Sequence, residues 1–266
     1  MRKVLILSGV HGNEYSAVKA GMLLNKIYEN AINIDVYPFV NINGLIHNTR
    51  DVPDMNSADL NRQLINDSYD PVIFLKSKIE EYDVVIDIHN SPRCSNFVLI
   101  DKVDNQSIIK RFCIESNVKY TTRYNNANTI KKYVNSIKNK IGITYEFNGM
   151  SDFNNDTNVK KACDDIMSLL YHINDSFADD DNIDDHMLKD LYCTKRGYID
   201  YAYDINSYIM PDQVAFNVLD ESGNILESVK NNTKNKWYII SQNNNFSDCG
   251  GLCMQYYEEE VNIYEK

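Results

Sequence analysis

The sequence predicts an α/β protein, a mostly parallel sheet flanked by helices and followed by a small C-terminal all-β domain. Three observations carry this. Four apolar, β-branched runs are each bounded by polar or turn residues, as buried strands are. Stretches with helical spacing lie between them, which is the alternation of βαβ units with a parallel sheet. After about Asp190 the rhythm changes to short, tyrosine-rich segments separated by turn residues.

The elements follow in order. "KVLIL" reads as the first strand, and "EYSAVKAGMLLNKIYEN" as a helix with Ala17, Ala20, Gly21 and Leu24 on one face. "IDVYPFVNI", "YDVVIDIH" and "GITYEF" supply the other strands. "PVIFLKSKIEEY" and "NVKKACDDIMSLLYHI" repeat the helical period. Beyond them, "GYIDYAYDINSYI", "QVAFNVLD", "NILESV" and "KWYIIS" are punctuated by "PD", "ESGN" and "NNTKN", a hairpin pattern. The expected division is a catalytic domain over 1–190 and a β-rich domain over 191–266.

At 266 residues the chain has room for one large domain with a smaller one appended. Its net charge of −11 argues against a nucleic-acid backbone or an anionic membrane as partner, because either would be repelled over most of the surface. A local arginine cluster can still reverse the field in a pocket, so a small anionic substrate remains open, as does a homo-oligomer. Much of the acidity sits in "SFADDDNIDDH", residues 176–186, read as a solvated loop or helix boundary. The opening apolar run is too short for a signal-peptide core, and no apolar stretch is long enough to span a bilayer. A cytoplasmic location is expected. The six cysteines follow no framework spacing and read as free thiols; "CGGLC" reads as a glycine turn flanked by buried thiols, with no second pair to complete a zinc site.

The chemistry gathers at strand ends, where open α/β sheets bind ligands. In "SGVHGNE", His11 lies just past the first strand and Glu14 opens the next helix. This is either an ordinary strand-to-helix turn or half of a metal site. "VVIDIHNS" ends a second buried strand in His89, with Asp87 on the same side of the strand to orient a metal-bound imidazole. Two histidines and a carboxylate form a common catalytic zinc set with one open position, and the same set also suits iron. Glu146, in "GITYEFNG", is an acid inside an apolar run, a costly placement unless it is paired or functional, and it suits a general base. In "SADLNRQL", Asn61 and Arg62 offer planar donors for a carboxylate, and Arg50 in "HNTRD" is a further donor.

Taken in order, "GVHGNE", "DLNR", "DIHN" and "YEFNG" resemble the motifs of the aspartoacylase and succinylglutamate desuccinylase family, relatives of the zinc carboxypeptidases. "PDQVAFNVLDESGNIL" resembles the family's β-domain, and "QYYEEE" the segment carrying its substrate-contacting tyrosine. The resemblance implies a zinc-carboxypeptidase-like fold and zinc-dependent hydrolysis of a small N-acyl amino acid by a metal-activated water. One Zn2+ per chain would be held by His11, Glu14 and His89, with Glu146 handling protons. Arg50 would polarise the scissile carbonyl, Asn61 and Arg62 would bind the substrate carboxylate, and Tyr256 would line the pocket from a C-terminal domain that caps it. Two departures stand out. The segment from Arg50 to Asn61 is longer than in relatives, and "NSIKNKIGITYE" carries lysines where aspartate-specific relatives have an arginine upstream of the glutamate.

Two other readings share the residues. A zinc carboxypeptidase acting on short peptides would use the same ligands, and a catalytically silent binding module would keep the fold without turnover. Assay of short peptides beside N-acyl amino acids separates these from a deacylase.

Overall fold

The computed structural model describes residues 1–53, 56, 58–64, 69–100, 106–122, 128–149, 156–173, 189–242, 245–249 and 251–259. The chain divides into two compact units, one of Met1–Pro92, Asn96–Tyr120 and Tyr124–Asp184, the other of Arg93–Ser95, Thr121–Arg123 and Asp185–Lys266. The acidic segment 176–186 lies outside the described residues. Among the described residues no helix is long and apolar enough to cross a membrane.

The first unit is built on a six-stranded sheet, of which it holds all but residues 121–122. Its strands are β1 (Val4–Ser8), β2 (Ile34–Tyr37), β3 (Val84–Ser91), β4 (Phe97–Ile100), β5 (Tyr120–Thr122) and β6 (Ile141–Asn148), in the order β2-β1-β3-β6-β4-β5. β2, β1, β3 and β6 pair in parallel, and β4 runs antiparallel to β6. The mostly parallel sheet expected from the sequence is therefore present.

Strand pleat sorts the side chains onto two faces. Val4 and Ile6 of β1 and Ile86 and Ile88 of β3 pack with α1 (Tyr15–Ile27), α4 (Gln106–Glu115) and α6 (Asp156–Ile173). Leu5, Leu7 and Val85 turn the other way, onto α3 (Asp70–Ile79) and α5 (Ile130–Ser136). Because both faces are covered, the strands read as unbroken apolar runs rather than alternating ones.

The second strand is shorter than "IDVYPFVNI" suggests. β2 stops at Tyr37, before Pro38, and Asn41 caps a short helix, α2 (Ile42–His47), by accepting a hydrogen bond from the Gly44 amide at 2.8 Å. Proline ends the ladder because it has no amide proton to donate.

The second unit contains two antiparallel four-stranded sheets. One has the order β11-β10-β8-β13, from β8 (Gly197–Tyr201), β10 (Val214–Leu219), β11 (Ile225–Lys230) and β13 (Phe246–Ser247). The other has the order β7-β14-β12-β9, from β7 (Lys189–Tyr192), β9 (Tyr208–Ile209), β12 (Lys236–Gln242) and β14 (Leu252–Glu259). Ile199, Phe216, Val218, Trp237, Ile239, Met254 and Tyr256 make one apolar core.

Candidate metal centre

His11 is placed by a loop with almost no spare volume. Gly9, just past β1, has φ +67, in the left-handed region that favours glycine. At Gly12 a Cβ would fall 1.9 Å from the backbone of Gly44, so the loop of His11 rests directly on α2. Asn41 holds the same contact from the side. Its amide nitrogen donates to the Gly9 carbonyl at 2.8 Å, and its side-chain nitrogen donates to the Asp51 carbonyl at 3.2 Å. One buried residue thus ties the loop of His11 to the segment of Arg50.

Glu14 is the N-cap of α1, and its carbonyl already accepts from the Val18 amide. A carboxylate at a helix N-terminus is favoured by the unpaired amides and the helix dipole. Asn90 adds a further bond, its backbone amide donating to Glu14 Oε2 at 3.2 Å, while its side chain links the Ala17 amide to the Gly149 carbonyl.

The three expected ligands converge. His11 Nδ1 lies 2.6 Å from Glu14 Oε1, His89 Nδ1 lies 3.0 Å from Glu14 Oε2, and the two Nδ1 atoms are 3.1 Å apart. All three residues are buried, and a ligand atom from each lies within 4.8 Å of the others. Two ligands each about 2.0–2.1 Å from a tetrahedral zinc are separated by roughly 3.3 Å. The donor set and its spacing fit a single ion of that kind.

The outer nitrogens complete the pattern. His89 Nε2 is 2.8 Å from Asp87 Oδ2, the orienting contact expected from strand parity. His11 Nε2 is 3.2 Å from Asp59 Oδ1, a partner the sequence reading did not assign. A carboxylate behind each imidazole fixes the tautomer that leaves Nδ1 free to ligate. Asp59 stands in the "SADLNRQL" stretch already singled out for Asn61 and Arg62. Its acid type, two positions before that pair, was the available signal.

Asp59 also accepts from Arg50, at 3.3 Å from Nε and 3.1 Å from Nη2. Arg50 Nη1 lies 3.7 Å from Glu14 Oε1. The longer segment does not keep Arg50 from Glu14, and within it the Val52 amide donates to the Ala58 carbonyl at 3.0 Å in an antiparallel bridge. Asn61 is nearly buried. Its Oδ1 accepts from the Ile130 amide at the start of α5 (2.8 Å), and its Nδ2 lies 3.4 Å from His89 Nε2. Arg62 is exposed and donates to the Asn61 carbonyl at 3.2 Å.

Glu146 stands in register with His89 on the neighbouring parallel strand, so both side chains emerge on the same face of the sheet. Burial raises its carboxyl above the ordinary range, helped by the charges of Glu14 and Asp87 and opposed by His89 and His11. Burial also disfavours the ionised forms of the other groups, but here partners win. The His89 and His11 imidazoles hold the Glu14 carboxyl at about 2. Asp87 and Glu14 raise His89 well above the usual imidazole range, and Asp59 and Glu14 raise His11. The centre thus separates one acid kept low, Glu14, from one kept high, Glu146, which suits the two carboxyls to different roles.

Tyr256 belongs to the second unit. It is 7% exposed, and its ring stacks on Trp237 at 4.2 Å between centroids.

A model of the succinylglutamate desuccinylase/aspartoacylase catalytic domain matches residues 1–170. Comparison with curated proteins gives no match. Among solved structures, a succinylglutamate desuccinylase/aspartoacylase from Rhodobacter sphaeroides is similar, with TM-score 0.76 and 16% identity over 98% of this chain and 86% of that one. An aspartoacylase family protein from Mesorhizobium loti gives 0.76 and 14%, covering 98% and 86%. The ectoine utilization protein EutE (DoeB) from Ruegeria pomeroyi, in a product-bound structure, gives 0.75 and 15%, covering 97% and 85%. At such identities these likenesses establish the shared fold.

Proposed function

The chain belongs to the succinylglutamate desuccinylase/aspartoacylase family, whose named activities are hydrolytic, and on that premise we propose that it is a zinc-dependent amidohydrolase that deacylates a small N-acyl amino acid. The observation that carries the reading is the convergence of His11 Nδ1, His89 Nδ1 and the Glu14 carboxylate, with a carboxylate behind each imidazole. Zinc held by these three residues would supply Lewis acidity and lower the pKa of water.

The chain's own residues then divide the work. Glu146 takes the proton from the attacking water and returns it to the leaving amine, a role its raised carboxyl suits. Arg50, beside Glu14, orients the scissile carbonyl and steadies the oxyanion. Arg62 binds the substrate carboxylate, and Asn61 lines that subsite while holding α5 by its Oδ1. Tyr256 is assigned to substrate contact on the family resemblance alone, and the domains proposed are a catalytic one over 1–190 and a β-rich one over 191–266. All six cysteines are free, which supports a cytoplasmic location.

The test is elemental analysis of wild type and His89→Ala, followed by a panel of N-acyl amino acids and short peptides. About one zinc per chain, lost in the variant, with turnover of N-acyl amino acids, supports the proposal. Turnover of peptides alone makes the protein a carboxypeptidase. Bound zinc with no hydrolysis of either class makes it a binding module, and no bound metal removes the reading.

A further inference from the structure

A second group of reactive side chains surrounds the turn between β13 and β14. Cys193, just past β7, donates its backbone amide to the Gly251 carbonyl at 3.2 Å. Its thiol points at the carbonyls of Asp248 (3.3 Å) and Gly251 (3.7 Å). Cys253 is the extra residue of a β-bulge, since Leu252 pairs with Tyr192 and Met254 with Leu191. A bulge re-aims a side chain, and here the Cys253 thiol meets the same Gly251 carbonyl at 3.4 Å. Cys249 completes the group, its thiol 2.9 Å from the Thr194 carbonyl. Residues 193–194 and 248–249 therefore clasp one another reciprocally, each thiol seated on the other segment's backbone.

The three thiols differ in access. Cys193 and Cys253 are buried, whereas Cys249 is exposed. Burial, with Cys193 beside it, pushes the Cys253 thiol up to about 12. A dissolved oxidant reaches an exposed thiol before it reaches buried ones, so oxidation of the group starts at Cys249. The bland reading of "CGGLC" as a turn between buried thiols thus leaves out an exposed Cys249 and a third cysteine from a distant part of the sequence.

We propose that Cys193, Cys249 and Cys253 form a thiol relay in which hydrogen peroxide oxidises Cys249 and the oxidation is passed inward to a reversible Cys193–Cys253 disulfide. In the first step the Cys249 sulfur attacks the peroxide, the O–O bond breaks, and water leaves behind a sulfenic acid. The Cys193 sulfur attacks that of Cys249, expelling a second water and forming the first S–S bond. The Cys253 sulfur then attacks Cys193, and Cys249 departs, taking up the proton that Cys253 loses. In total, two thiols and one peroxide give one disulfide and two waters. The product cross-links β7 to β14.

The test treats the reduced full-length chain with one equivalent of hydrogen peroxide, alkylates remaining thiols, and maps peptides without reduction. The expected result is a Cys193–Cys253 peptide pair, a higher melting temperature, and reversal of both by dithiothreitol. Cys94, Cys113 and Cys163, buried elsewhere, serve as controls and stay alkylatable after unfolding. Cys249→Ser is expected to lose the pair over the same exposure, and Cys253→Ser to accumulate a Cys193–Cys249 bond instead. Oxidation that stops at Cys249, with Cys193 and Cys253 still reduced, overturns the proposal. So does a Cys249→Ser chain that links as fast as wild type.

Discussion

The two units treat buried polar groups in opposite ways. In the α/β unit, His11, Glu14, Asn61, Asp87, His89 and Asn90 are all buried, and hydrogen bonds link them into one neighbourhood. In the β unit the core is aromatic and aliphatic, and its buried Asn231 is consumed by a turn, bonding the Ile209 and Asn235 carbonyls and the Thr233 side chain. Burying charge is costly unless partners or an ion repay it, so a charged cluster marks a site, whereas an isolated satisfied amide marks a fold. The same amount of burial therefore means different things in the two halves of the chain.

The largest test of that contrast is His89→Ala. It is expected to abolish metal binding and activity together, as elemental analysis and turnover assays would register. Next is Glu146→Gln, expected to keep the metal but lower turnover by about 10²–10⁴-fold. The sign of its effect on stability is the reverse. Because the folded carboxyl is raised, its ionisation costs stability as pH climbs above the ordinary glutamate range, so the metal-free Gln variant should melt higher than metal-free wild type near neutrality. A lower melting temperature would mean that Glu146 is a structural acid.

In the β unit the corresponding change is Trp237→Ala. Removing a fully packed indole is expected to cost about 3–5 kcal/mol in denaturant melts. The metal bound per folded chain should stay unchanged. Loss of metal in that variant would erase the distinction drawn here.

Legibility followed the same line. His11, His89 and Glu146 stood out because each interrupts or follows an apolar strand pattern, where an ionisable residue needs a reason, and Glu14 because it opens the helix three residues after His11. The faces they occupy followed from parity alone, so Asp87 behind His89 was also readable. Asp59 and Asn41 were not, because they act through contacts between segments distant in sequence, and acids and asparagines are common in loops. The short helix α2 escaped notice for a related reason. Its six residues continue an apolar run, and only the proline and the capping Asn41 separate strand from helix. Tyr256 carries no local signal among 19 tyrosines, and only the family resemblance selected it.

Smaller effects sharpen the comparison inside the α/β unit. Asp59→Asn and Asp87→Asn should each weaken metal affinity by about 10–100-fold, measured by competition with a chelator. Asp59→Asn should also release Arg50 and so raise KM, a change Asp87→Asn should not produce. The smallest effect is a pH trend. His11 and His89 are raised in the metal-free fold, so their protonated forms add stability that is complete below the ordinary imidazole value and fades as pH rises through the raised ones. Metal needs the neutral rings, so the gain in melting temperature on adding zinc should grow with pH over the same interval.

The absence of any gap between Gly12 and Gly44 has a consequence for how such a protein can change. A side chain at Gly12 would collide with backbone, which cannot step aside as a flexible side chain can. The loop that carries His11 and the helix that leads to Arg50 therefore move as one piece, and Asn41 locks them from the side. The proposed metal ligand His11 and the proposed carbonyl clamp Arg50 are therefore inherited together. New substrates must come from parts of the chain that this joint does not hold, which makes the longer segment between Arg50 and Asn61 a natural place for innovation.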